Sequence, residues 1–146
     1  MPAGGLVLTI AIDVQAYRLE LQVMAWGEGM EAWVVDYQII HGDPATKATW
    51  DKADEMLKGR YRHVSGCRLS ISAAFVDSGG HHTQAVYHYA RSHQHANVHA
   101  CKGMSQAGKA VIGKPTDQDL TWRGEKWKRG VKLWPIGTDT AKAEIY

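Results

Sequence analysis

The chain's hydrophobic pattern predicts an α/β fold: a mixed sheet that opens with an antiparallel three-stranded meander and carries helices on both faces. Three observations point there. The apolar run Leu6 to Val14 lacks helical spacing, residues 18–23 alternate between polar and apolar, and two segments at helical spacing flank another apolar run that ends at Asp77. At 146 residues the chain is about one domain long, enough to bury a single core.

Each element has its own signal. Leu6 to Val14 is rich in β-branched and aliphatic residues, which predicts a buried strand. From Tyr17 to Trp26, Leu19, Leu21 and Val23 alternate with Arg18, Glu20 and Gln22, the pattern of a half-exposed strand. Gly27-Glu28-Gly29 signals a turn, and Glu31 to Ile40 supplies a third strand. After His41-Gly-Asp-Pro44, Thr46 or Thr49 caps a predicted helix that reaches Lys58, with Trp50, Ala53, Met56 and Leu57 on its apolar face and Gly59 ending it. Arg68 to Val76 is a fourth strand delivering Asp77, Thr83 to Ser92 a second helix, and Asn97 to Cys101 a short fifth strand. Residues 102–132 read as a long basic loop or hairpin, Leu133 to Ile136 as one more strand, and Thr138 or Asp139 as the cap of a helix beginning at Ala141. The order β-β-β-α-β-α-β is that of the ribonuclease H-like fold, so residues 1–146 are expected to form one such domain, lacking its last helix. Other α/β folds share an opening meander.

Composition narrows the class. A hydrophobic fraction of 45% and a charged fraction of 22% suit a globular protein, and no stretch is apolar enough to cross a bilayer. Met-Pro-Ala-Gly-Gly lacks the positive flank of a secretory signal, so a cytoplasmic location is expected. Cys67 and Cys101 form no CxxC pair and are expected as reduced, interior thiols. The net charge of +2 is unevenly spread: from Lys102 to Lys132, Lys and Arg outnumber Asp and Glu eight to three. Lys109, Lys114, Arg123, Lys126, Lys128 and Arg129, interleaved with Trp122 and Trp127, are candidate DNA contacts, although a basic run also describes a solvated face and the tryptophans also suit packing. Trp26, Trp33 and Trp50 read as core anchors.

Two patterns imitate other chemistries. Gly103 to Ala110 resembles a P-loop, yet Ala110 replaces the hydroxyl that would hold Mg²⁺, so no ATP site is expected. His88, His93, His95 and His99 lack an HExxH arrangement or a cysteine partner, which argues for surface histidines over zinc.

Asp13 and Asp77 each end an apolar strand. Singly, such an acid reads as a turn former or helix cap; paired at matched strand ends, the two point to catalysis or its remnant. In a ribonuclease H-like sheet the fourth strand lies beside the first, and carboxylates brought together repel unless a cation neutralises them. Oxygen ligands suit Mg²⁺ or Mn²⁺, and two such ions about 4 Å apart activate water and stabilise the leaving 3′ oxygen of a phosphodiester. Ser78-Gly79-Gly80 permits a sharp turn at this point or is a plain connector, and His81 and His82 stand near the helix start, either near a scissile phosphate or as exposed neighbours of the cap.

Ala11-Ile-Asp13-Val-Gln15 with Arg18-Leu-Glu20, Trp33-Val-Val-Asp36-Tyr37, His41-Gly-Asp43-Pro44, Phe75-Val-Asp77-Ser-Gly-Gly-His81, Lys102-Gly103 and Gly137-Thr-Asp139-Thr-Ala-Lys142 together resemble the large terminase subunit of tailed phages, in its lambda-like branch. The resemblance runs in order over almost the whole chain and covers only that subunit's C-terminal nuclease half. It implies a metal-dependent endonuclease that cuts concatemeric double-stranded viral DNA, with the terminase small subunit and the portal protein as partners in the host cytoplasm. It implies Asp13 and Asp77 as ligands of Mg²⁺ or Mn²⁺, with His81 and Lys102 as neighbours. Asp139 is the substitute for a third acid, and also has the simpler role of a helix cap. The packaging ATPase of a complete subunit is expected to be absent. Competing expectations are an inactive prophage remnant that binds only DNA or packaging proteins, and a resolvase-like nuclease of the same fold.

Overall fold

The computed structural model describes residues 1–145, and among them eight strands and three α-helices form a mixed α/β structure with two compact units, one of residues 1–75 and one from residue 76 on. In the first unit, β1 (Val7–Val14), β2 (Arg18–Trp26) and β3 (Ala32–His41) form the expected antiparallel meander. Helix α1 (Lys47–Leu57) packs against β2 and β3. A strand missing from the sequence reading, β4 (Arg60–Arg62), pairs antiparallel with β5 (Arg68–Asp77), and β5 in turn follows β1 in the strand order. Three residues of Arg-Tyr-Arg are too few to show a period. Strand β5 passes from the first unit into the second between Phe75 and Val76.

The first core follows from strand alternation. Leu8, Ile10 and Ile12 of β1 and Leu19, Leu21, Val23 and Ala25 of β2 point inward, each at most 2% exposed, while Trp50, Ala53, Met56 and Leu57 of α1 are also buried. β1 therefore differs from the expected fully buried strand: Val7 and Ala11 are exposed, because an antiparallel meander can leave one face to solvent. Trp50 anchors the core and donates Nε1–H to the Pro44 carbonyl at 2.7 Å. Trp26 does not, being 36% exposed with its Nε1–H on Thr9 at 2.8 Å. Thr46 takes the N-cap position of α1, but its hydroxyl donates to the Asp43 carbonyl at 2.8 Å rather than capping the helix.

In the second unit, α2 (Thr83–Ser92) packs on β6 (Val98–Met104), β7 (Thr116–Trp122) and β8 (Glu125–Gly137), and α3 (Thr138–Ile145) follows directly. β6 and β8 pair in parallel, β7 and β8 antiparallel, giving the order β6-β8-β7. Residues 102–132 thus hold the end of β6, a loop, and most of a hairpin. Arg123 and Gly124 turn that hairpin with φ of 49° and 84°, the two positive values a two-residue type I′ turn needs. β7, Thr-Asp-Gln-Asp-Leu-Thr-Trp, carries two aspartates that are poor strand formers, so its sequence leaves loop and hairpin both open, and the structure shows the hairpin. α3 starts at Thr138, three residues before the expected Ala141, so Asp139 lies in its first turn.

Leu21→Ala should lower the unfolding free energy by about 2–5 kcal/mol in urea titration, whereas Val34→Ala on exposed β3 should change it by under about 0.5 kcal/mol. Equal losses would show that the inward face of β2 is not the core.

Candidate functional site

Asp13 lies on the outward face of β1 and is half-buried. The chain reverses within three residues, and the Gln15 side chain folds back so that Nε2 donates to Asp13 Oδ2 at 2.5 Å. The strand register sets Glu20 directly across from Asp13. Arg18 Nε donates to Glu20 Oε1 at 2.7 Å, and the Tyr37 hydroxyl of β3 donates to Glu20 Oε2 at 2.7 Å. The Tyr37 bond, then the Arg18 bond, holds the Glu20 carboxyl below the usual carboxylate range, and Glu20 in turn pushes the Tyr37 hydroxyl up. Arg18, Glu20 and Tyr37 are companions of Asp13 that the sequence reading did not select as site residues. The signal was available, since a short β1–β2 connection sets Asp13 opposite Glu20.

Asp77 closes β5 and is also half-buried. Its Oδ1 accepts the Gly79 N–H at 2.9 Å, and a Cβ on Gly79 would stand 3.2 Å from that same oxygen. Neither Gly79 nor Gly80 has positive φ, so closeness to the carboxylate, not left-handed backbone, is what favours glycine at 79. Buried Ser78 gives both its N–H and its hydroxyl to the Cys101 carbonyl, each at 2.8 Å, fixing the end of β5 to β6. Thr83 Oγ1 closes the connection on the Ser78 carbonyl at 2.9 Å. Burial first, and the Asp77 charge second, pushes the Cys101 thiol up to about 12.

The other expected site residues are open to solvent. His81 and Lys102 are exposed, and so is Asp139, where an acid suits the positive end of a helix. Thr138, just before Asp139, donates Oγ1–H to the Met104 carbonyl at 3.1 Å and ties the start of α3 to β6. Among the described residues, no three His, Cys, Asp or Glu side chains are gathered into a group that would hold a metal ion. Cys67 is exposed, contrary to the expected interior thiol.

The basic hairpin is braced on α2. Trp122 stacks on His88, with ring centroids 4.8 Å apart and planes 16° from parallel, and the Arg123 guanidinium lies 5.9 Å from the same indole. Trp127 lies 5.7 Å from the Arg91 guanidinium, whose Nη1 donates to the Gly130 carbonyl at 2.6 Å. Both tryptophans are thus engaged within the protein. Lys126 lies 3.8 Å from Asp119, and Arg129, at φ 50° in a bulge of β8, gives its N–H to Asp119 Oδ1 at 3.0 Å. Lys128 is exposed. Lys102, Lys109 and Lys114 line a cavity of about 440 Å³ floored by Met104, Leu133 and Pro135. Beyond Lys109 the chain does not enter a helix; Ile112 bridges to Ile136, and the Gly137 N–H reaches the Ala110 carbonyl at 3.1 Å. Of the clustered histidines, His93 packs on Tyr89 and His99 meets Trp134 edge-on.

The family model for the endonuclease domain of the terminase large subunit gpA matches residues 1–146. The terminase large subunit of Enterobacteria phage P21 is 37% identical over 146 residues, covering 100% of this chain and 22% of that protein. The terminase large subunit of Escherichia phage lambda is 38% identical over 139 residues, covering 95% of this chain and 20% of that protein. The chain therefore spans about a fifth of the length of these curated relatives. No solved structure matches it.

A raised thiol pKa means that Cys101 keeps its proton until well above the ordinary value of 9.0. Iodoacetamide should accordingly label exposed Cys67 first at mildly alkaline pH, and Cys101 only in denaturant or as pH approaches 12. Peptide mapping reads the order, and equal rates at the two thiols would contradict the burial of Cys101.

Proposed function

Because the chain belongs to the family of terminase large-subunit gpA endonuclease domains, we propose that it is a ribonuclease H-like, metal-dependent endonuclease that hydrolyses phosphodiester bonds of concatemeric double-stranded viral DNA. Its setting is the host cytoplasm, with the terminase small subunit and the portal protein as partners. The observation that carries the chemistry is the state of the two aspartates. Each ends a strand half-buried, each has one oxygen fixed by a neighbouring N–H, and each keeps its second oxygen without a partner among the described residues. The meander of β1 to β3 and the place of β5 beside β1 support the fold assignment.

The donor set fits a hard divalent cation, because ionised carboxylates are acceptor-only oxygen ligands. Asp13 and Asp77 would each be a ligand of Mg²⁺ or Mn²⁺, while Asp139, exposed in the first turn of α3, is not gathered with them into a three-acid group among the described residues. Bound there, the ion would lower the pKa of a water and offset charge building on the phosphate. Gln15 and the Gly79 N–H keep the two carboxylates from rotating, so less ordering is needed on loading. His81 and Lys102, both exposed, would meet a phosphate or position water. Lys109, Lys114, Arg123, Lys126, Lys128 and Arg129 supply positive charge along the DNA backbone, with Trp122 and Trp127 holding the hairpin that presents the last four.

Supercoiled plasmid should be cut in Mn²⁺, and Asp13→Asn or Asp77→Asn should each lower the rate by about 100-fold or more while leaving the fold intact. Cleavage that persists in both variants would remove the aspartates from the chemistry. DNA retardation without cleavage in the unaltered chain would identify a remnant that only binds, and a preference for branched DNA a resolvase-like enzyme.

A further inference from the structure

We infer that Arg18 is a clasp for a DNA phosphate beside Asp13, held in position by Glu20 and Tyr37. Arg18 spends only Nε on Glu20, at 2.7 Å, and its two Nη groups have no partner among the described residues. The side chain remains 46% exposed. The other oxygen of Glu20 accepts the Tyr37 hydroxyl at 2.7 Å, which ties Glu20 to β3 as well. A guanidinium fixed through Nε offers its remaining N–H groups in a planar fork, the geometry that matches two phosphate oxygens.

Location gives the clasp its purpose. The Gln15 N–H donates to the Arg18 carbonyl at 2.9 Å, so Arg18 begins β2 directly across the turn from the end of β1. Glu20 is the cross-strand partner of Asp13, and the Tyr37 hydroxyl feels the charges of both Asp13 and Arg18. A phosphate approaching Asp13 meets a repelling carboxylate, and Arg18 is the cation that the strand register sets on the same face. An exposed Arg–Glu pair on its own contributes little to stability. Fixing both carboxylate oxygens instead preorganises the guanidinium, so less side-chain freedom is lost on binding.

This rests on the nuclease reading for its substrate, and the test separates the two. Retention of a short DNA duplex would be measured with the unaltered chain in Ca²⁺ over a range of salt, beside Mn²⁺ uptake by calorimetry without DNA. Arg18→Gln should weaken retention about ten-fold and reduce the salt slope by about one. Arg18→Lys, which keeps the charge but not the fork, should recover only part of the loss. Mn²⁺ uptake should be unchanged in Arg18→Gln and lost in Asp13→Asn. Unchanged retention and slope in a folded Arg18→Gln protein would overturn the clasp, as would an unaltered chain that retains no DNA. If Mn²⁺ is not taken up while Arg18→Gln still loses retention, the metal reading fails and the clasp stands.

Discussion

The register between β1 and β2 is the constraint on which the first unit depends. Side chains alternate across a strand, so pairing Val7 with Trp26 through Val14 with Leu19 decides both faces at once. Inward go Leu8, Ile10, Ile12, Leu19, Leu21 and Val23; outward, on the same face, go Asp13 and Glu20. A slip of one residue would send the leucines to solvent and bury the acids. Burying an ionised carboxylate without a partner is expensive enough to exclude that arrangement. The core and the acidic face are therefore one decision of the chain.

Polar contacts then refine what the register has placed. Gln15 turns Asp13, Gly79 turns Asp77, and Ser78 fastens the end of β5 to the Cys101 carbonyl. The hairpin is treated alike: His88 and Arg91 of α2 hold Trp122 and Trp127, and Asp119 holds the bulge at Arg129. A ribbon braced in this way has less conformational freedom than a free loop. Stacked aromatics and short backbone bonds thus connect the packing of α2 to the electrostatics of β7 and β8.

Much of this was legible in the sequence because period and composition agreed. The alternation of 17–26, the helix at Thr83 to Ser92 and the strand ending at Asp77 all emerged with nearly their observed bounds. Where the signal was mixed, the reading fell short. β7 carries Asp117 and Asp119, and the turn that joins it to β8 uses Arg123 at positive φ, where glycine or asparagine would have announced it. The apolar run of β1 suggested burial on both faces, since Thr9 and Ala11 do not distinguish a solvated face from a covered one. At the site, the acids themselves were visible as strand ends. Of their companions, Glu20 and Arg18 were within reach of the short β1–β2 connection, whereas Tyr37 on β3 joins them only once the β2–β3 register is known. Asp139 shows the reverse case: it was visible as an acid, yet it lies one residue inside α3 instead of before it.

The central proposal is that Asp13 and Asp77 are ligands of a divalent cation. Anomalous scattering from crystals of the chain grown with Mn²⁺ measures this most directly. The proposal predicts a strong peak within ligand distance of both carboxylates, close to the roughly 2.0–2.1 Å at which Mg²⁺ binds oxygen. A peak that touches neither aspartate, or an aspartate pair too far apart to share a metal centre, would contradict it.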